Sequence, residues 1–209
     1  MLLLLSLMLS ATPGPIGSKS EGAAALPPVV LETGDLIFHR SASRQSQAIQ
    51  LATHSPWSHV GVVFVGPKQI LVLEASTTVR FTPLSTFVAR GQGGHYQVWR
   101  RADRATGLRP KEVERLWKEG RRTVGITYDW AFGWDDQRLY CSELAHKLYQ
   151  RAFGMTLVEP RPLSEYDLTH PAVQAKLQER YGDDLPLEEP VVAPADLLTA
   201  PGLVMVAEG

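Results

Sequence analysis

Two runs limit the possible folds of this chain more than any others: Ser58-His59-Val60-Gly61-Val62-Val63-Phe64-Val65 and Gln69-Ile70-Leu71-Val72-Leu73-Glu74-Ala75. Both are dense in β-branched and long aliphatic residues, and Gly66-Pro67-Lys68 separates them with turn chemistry, so a hairpin is predicted. Each strand is apolar on both of its faces. Strands of that kind belong centrally in a covered sheet.

The rest of the chain supplies the other elements. Gly34-Asp35-Leu36-Ile37-Phe38-His39 reads as a turn entering a short strand, and Ser41 to Thr53 as a short helix broken by His54-Ser55-Pro56-Trp57. Val79–Thr82 and His95–Arg100 are two further strands. Between them Arg90-Gly91-Gln92-Gly93-Gly94 lacks the following helix and downstream acid of a nucleotide-binding loop, so it is read as a turn. Pro110 opens a helix with Val113, Leu116 and Trp117 on one face. Another helix starts at Thr169-His170-Pro171 and ends at Gly182, a helical turn occupies Pro194–Leu198, and Leu203–Val206 is a closing strand. The result is one α+β domain with a central, mainly antiparallel sheet and packed helices.

The N-terminus is of a different kind. Met1-Leu2-Leu3-Leu4-Leu5-Ser6-Leu7-Met8-Leu9 is too short to span a bilayer and has the length of a signal-peptide core. No Lys or Arg precedes it, a departure from the usual signal pattern. Residues 1–28 are expected to be signal peptide and linker, residues 29–209 the folded domain, and the mature protein periplasmic or extracellular. No cysteine follows the apolar run, which argues against a lipid anchor, and no other stretch is apolar for long enough to cross a membrane. A formal net charge of −1 over 209 residues gives no general attraction to nucleic acid or anionic membrane.

A single cysteine, Cys141, excludes an internal disulfide framework. An unpaired thiol in an exported protein is unusual, and that singles it out as a nucleophile. Cys141, Leu144, Ala145, Leu148 and Tyr149 follow the spacing of an amphipathic helix, which places the thiol at a helix start, with Gly154 as the stop. The positive end of a helix favours thiolate over thiol, and its unpaired N–H groups can receive an oxyanion. A buried cysteine packing as a small hydrophobe is the competing reading.

A histidine and a carboxylate favour the catalytic reading. If the turn sets Val65 opposite Lys68, then His59 stands directly opposite Glu74, with Cβ atoms ~5 Å apart on the same side of the sheet. An odd-length loop would instead turn Glu74 to the other face. A carboxylate in the first position orients the imidazole and stabilises its charged form. Nucleophile, base and orienting acid are then Cys141, His59 and Glu74. Tyr128, Trp130, Phe132 and Trp134 alternate through the loop before the thiol. From this set Trp130 and Trp134, together with Trp57, are taken as walls of a substrate cleft, and Tyr140 as a donor near the oxyanion. Glu143 and His146 have the spacing of a di-iron motif, but only one such pair occurs, and one cysteine cannot build the usual structural zinc sites. No metal and no cofactor is expected.

Gly34-Asp35-Leu36-Ile37-Phe38, Ser58-His59-Val60-Gly61-Val62-Val63, Glu74-Ala75 and Tyr140-Cys141-Ser142-Glu143-Leu144 together resemble the circularly permuted NlpC/P60-like, papain-related cysteine hydrolases, and most closely their YiiX/YebB-like permuted amidase branch. The likeness runs from about Gly34 through Pro194-Ala195-Asp196-Leu197. It implies a permuted papain-like fold, Cys141 as nucleophile, His59 as base, Glu74 as orienting residue and an amide substrate such as a cell-wall peptide or N-acyl amino acid. Lecithin:retinol acyltransferases share the permutation but carry His where this chain has Glu74. Acyl transfer or lipid-ester hydrolysis is therefore the second reading, and a non-catalytic binding module the third.

Overall fold

The structure, a computed structural model, describes residues 30–209. The leader expected over residues 1–28 lies outside the described residues. The main sheet has six strands: Leu36–His39 (β1), His59–Val65 (β2), Ile70–Ala75 (β3), Val79–Pro83 (β4), Tyr96–Arg101 (β5) and Leu203–Glu208 (β6). Their order is β6-β5-β1-β2-β3-β4, and every neighbouring pair is antiparallel. The hairpin strands β2 and β3 thus lie inside the sheet, as their two apolar faces require.

The hairpin register differs from the expected one. Val65 pairs with Ile70 and Val62 with Leu73, two residues away from the predicted partners. The tip is Pro67-Lys68, closed by the Gly66 N–H donating to the Gln69 carbonyl at 3.0 Å. The proline ring fixes a φ that suits the first central position of a turn and not the second, which moves the tip one residue along. A slip of two keeps every side chain on its predicted face. His59 and Glu74 become diagonal neighbours rather than facing ones, because the register continued by one pair sets Gly61 against Glu74.

Helices cover both faces. On one, Phe38, Val60, Val62, Phe64 and Leu73 pack against Leu116 of the helix Pro110–Thr123 (called α3, after Arg44–Thr53, α1, and Leu84–Ala89, α2) and against Leu144, Ala145, Leu148 and Tyr149 of Cys141–Phe153 (α4). Gly120 lies near the end of α3, which closes at Thr123. A Cβ at Gly120 would stand 3.0 Å from both Phe64 and Leu73, so glycine there lets the helix approach the sheet closely. The opposite face is a smaller core of Ile37, Val63, Val72 and Val98 under Leu84, Phe87 and Val88 of α2. Two further helices, Pro171–Tyr181 (α5) and Pro194–Leu197 (α6), complete the domain. The Asp35 carboxylate of the opening turn is held by Arg100 of β5 through two bonds of 2.7 and 2.8 Å, tying the first strand to its neighbour.

Candidate active site

α4 begins at Cys141, with Tyr140 in extended conformation as its cap and Gly154 in the left-handed region at its end. The first intrahelical bond runs from the Leu144 N–H to the Tyr140 carbonyl, 2.9 Å, so the N–H groups of Cys141 and Ser142 have no partner inside the helix. The thiol is 3% exposed. The charge of His59 and the polar groups of the Val60 backbone and Ser142 all act to lower the pKa of the thiol.

His59 is the first residue of β2, where the strand end opens toward the start of α4. Its Nε2 lies 2.7 Å from Oε2 of Glu74. Diagonal neighbours on paired strands are ~7–8 Å apart at the backbone, a span two long side chains can close. Position 61 beside them is glycine, and a Cβ there would lie 2.3 Å from Val72 and 3.0 Å from the Leu73 carbonyl oxygen. With Nε2 engaged by the carboxylate, Nδ1 is the nitrogen left for the sulfur.

Glu74 has no exposed surface. Its second oxygen accepts from the Thr82 hydroxyl at 2.5 Å and from the Arg90 guanidinium. Burial opposes the carboxylate, but the His59 hydrogen bond and charge, followed by Thr82 and Arg90, prevail and lower its pKa to about 2. Burial likewise opposes the imidazolium of His59. The Cys141 sulfur and Glu74 outweigh it and raise the ring to about 9. The thiol is pushed up by burial and pulled down more strongly by the facing His59, so it ends below the ordinary thiol value. Each of the two groups therefore favours the charged form of the other.

Neither Thr82 nor Arg90 stood out in the sequence, since Arg90 belongs to a segment read only as a turn. His39 was missed as well. It pairs with His59 across β1 and β2, its ring centroid 4.9 Å from that of His59, and the edge of Phe87 closes on it at 4.6 Å. Burial and the neighbouring His59 charge lower its pKa to about 3, so it stays neutral. A neutral ring is the only form of His39 that can sit beside an imidazolium without repulsion.

Cys141 opens into a cleft lined mostly by apolar side chains. One wall is Ala48, Ile49 and Ala52 of α1, another Val173 and Leu177 of α5, a third Val191 to Pro194. Tyr128, Phe132 and Tyr140 close it, whereas Trp57, Trp130 and Trp134 are not part of the lining. Those three assignments are corrected. The aromatic run does alternate, but Tyr128 and Phe132 face the cleft. Trp130 is half exposed and rests on Tyr128, and Trp134 packs on His146 and beneath the Lys147 ammonium. Trp57 is partly buried against the larger core. The Tyr140 hydroxyl accepts from the Val192 N–H at 3.2 Å, so the residue serves the cleft as a wall. Of the proposed di-iron pair, Glu143 is bound to Lys147 at 2.7 Å and His146 lies against Trp134.

A family described as "Permuted papain-like amidase enzyme, YaeF/YiiX, C92 family" matches residues 30–207. The chain belongs to this permuted papain-like amidase family. Its members include the uncharacterized protein YiiX of Escherichia coli strain K12, 46% identical over 177 residues, which are 85% of this chain and 86% of that one. A crystal structure described as that of the metalloprotein YiiX from Escherichia coli O157:H7 superposes with a TM-score of 0.81 at 46% identity, covering 85% of this chain and 97% of the other. The permuted amidase fold explains why the histidine strand precedes the thiol helix in the chain, since the two meet in space whichever comes first.

Proposed function

We propose that the protein is a cysteine amidase in which Cys141 attacks the carbonyl of an amide whose acyl part lies in the apolar cleft. The observation that carries this is the His59 ring held between a fully buried carboxylate and the only thiol. The Cys141 thiolate adds to the carbonyl carbon, and the N–H groups at the start of α4 receive the oxyanion. The C–N bond then breaks, His59 gives its proton to the departing amine, and a thioester remains on Cys141. Water, deprotonated by His59, adds to that thioester; the C–S bond breaks, releasing a carboxylic acid and restoring the thiolate. Glu74 holds the ring in place and offsets its charge throughout.

Attack by an alcohol or amine instead of water would give acyl transfer, and the apolar lining of the cleft favours keeping ester and lipid substrates as the second reading. One relative is described as a metalloprotein. Among the described residues no group of three His, Cys, Asp or Glu side chains is placed to hold a metal ion, so no step is routed through one.

Replacing Cys141 with Ser tests the nucleophile. The hydroxyl nearly preserves volume, so the fold should persist while turnover of an acyl-amide substrate drops by ~10³-fold or more. Retention of hydrolysis by Cys141→Ser would remove Cys141 from the mechanism. We also propose that the protein is exported, on the strength of its N-terminal apolar run. N-terminal sequencing from the native host should begin between about Ala11 and Leu26, and an intact Met1 on cytoplasmic protein would overturn export.

A further inference from the structure

The charge of the cleft is one-sided. Its charged lining residues among the described ones are Lys176 and Arg180, both on α5, with no aspartate or glutamate. Lys176 is already paired with Glu179 at 2.8 Å. Arg180 is different: it is half buried and no carboxylate lies within ion-pair distance of it among the described residues. It is nevertheless held in place, its guanidinium lying over the Phe132 ring at 4.3 Å. A guanidinium stacked on an aromatic wall keeps its N–H fork free in the plane of the group, the arrangement that receives a carboxylate through two parallel bonds. Arg180 also stands at the thiol end of the cleft: the Phe132 ring beneath it lies 5.1 Å from the ring of Tyr140, the residue next to Cys141.

We infer that Arg180 binds the free carboxylate of an N-acyl amino acid whose acyl chain fills the apolar cleft and whose amide meets Cys141. This rests on the amidase reading and narrows its substrate. The α-carboxylate of such a compound is one carbon removed from the scissile nitrogen, so an anion at the thiol end fits it. A phosphate headgroup stands farther from the acyl carbonyl. Apolar lining holds the chain without hydrogen bonds, which leaves chain length loosely read and the anion sharply read.

Binding to the Cys141→Ala protein separates this inference from the chemistry. The probes are N-dodecanoylglycine, its methyl ester and dodecyl phosphate, titrated calorimetrically. The acid should bind about 10- to 100-fold more tightly than the ester, the range expected of a charge-assisted pair. Arg180→Gln should abolish that preference while leaving ester binding unchanged, and Arg180→Lys should restore part of it. Equal binding of acid and ester would overturn the inference. An equal loss for both probes in Arg180→Gln would also overturn it, by showing that Arg180 only shapes the cleft, and circular dichroism of the variant checks that it folds. An Arg180-dependent preference for dodecyl phosphate over the acid would replace the carboxylate with a phosphate headgroup. If the acid binds through Arg180 but the wild-type protein never cleaves it, the amidase reading fails and the anion site stands.

Discussion

Glu74 and Glu143 are both without exposed surface, one on β3 and one in the first turn of α4, yet they are held in opposite states. Glu74 is lowered to about 2, and Glu143 is raised to about 7 by burial that Lys147 only partly offsets. Their donors account for the difference. Glu74 receives His59, Thr82 and Arg90. Glu143 has the Lys147 ammonium at 2.7 Å and a long bond from the Tyr140 N–H at 3.3 Å, and it faces the like charge of Asp129. Burial alone therefore does not decide whether a carboxyl is charged. The number and charge of the groups that donate to it decide. Glu74 is equipped to stay an anion beside His59, whereas Glu143 serves the helix start.

The strongest way to break this contrast is to remove the imidazole. His59→Ala takes away the chief partner of Glu74 and the proposed base of the thiol together. Turnover should fall by ~10³-fold or more, and the apparent pKa of Cys141, read from its alkylation rate against pH, should rise above its wild-type value. An unchanged alkylation profile would mean that His59 does not hold the thiolate. Glu74→Gln should be milder, with a loss on the order of 10²-fold, because a hydrogen-bond acceptor remains while the negative charge goes. Here the pKa of His59 should drop below about 9, visible as a shift of the basic limb of the pH–rate profile. Glu143→Gln should leave turnover within a few-fold of wild type. Equal losses for the two glutamine variants would erase the distinction.

The smallest effect concerns stability, and its sign differs between the two sites. A carboxyl whose pKa is depressed in the folded state stabilises above its ordinary value of 4.5, and that contribution is lost as pH falls toward about 2. For Glu143 the folded pKa is raised, so the folded protein binds the extra proton between 4.5 and about 7, and stability drains away as pH rises through that window. Each slope is bounded by about 1.4 kcal/mol per pH unit. In denaturant unfolding, wild type minus Glu74→Gln should therefore increase with pH between about 2 and 4.5. Wild type minus Glu143→Gln should decrease between 4.5 and about 7. Slopes of the same sign would refute the contrast.

Much of this was legible in the chain. Two β-branched and aliphatic runs split by turn residues, and one helical stripe, give the hairpin, the α4 helix and the position of the thiol at its start. These are local patterns, so neighbouring residues are enough to read them. Even the register error did little harm, since a slip of two preserves the face that each side chain occupies. The aromatic run was harder. An aromatic ring falls at every second position, but which of the rings face the cleft depends on how the irregular loop is docked, and Tyr128 with Phe132 took the place expected of Trp130 and Trp134.

The sequence by itself determined the antiparallel hairpin and the helix that presents Cys141; which side of the sheet Glu74 takes depended on the turn, and the register places it on the side of His59. Only the tertiary structure decided what completes the site. Arg90 reaches Glu74 from the end of α2, His39 meets His59 from a different strand, and α1 and α5 close the cleft that Arg180 enters. None of these contacts follows a helical or strand period, because each joins elements far apart in the chain. Such contacts are set by how the elements pack, and no local pattern records them.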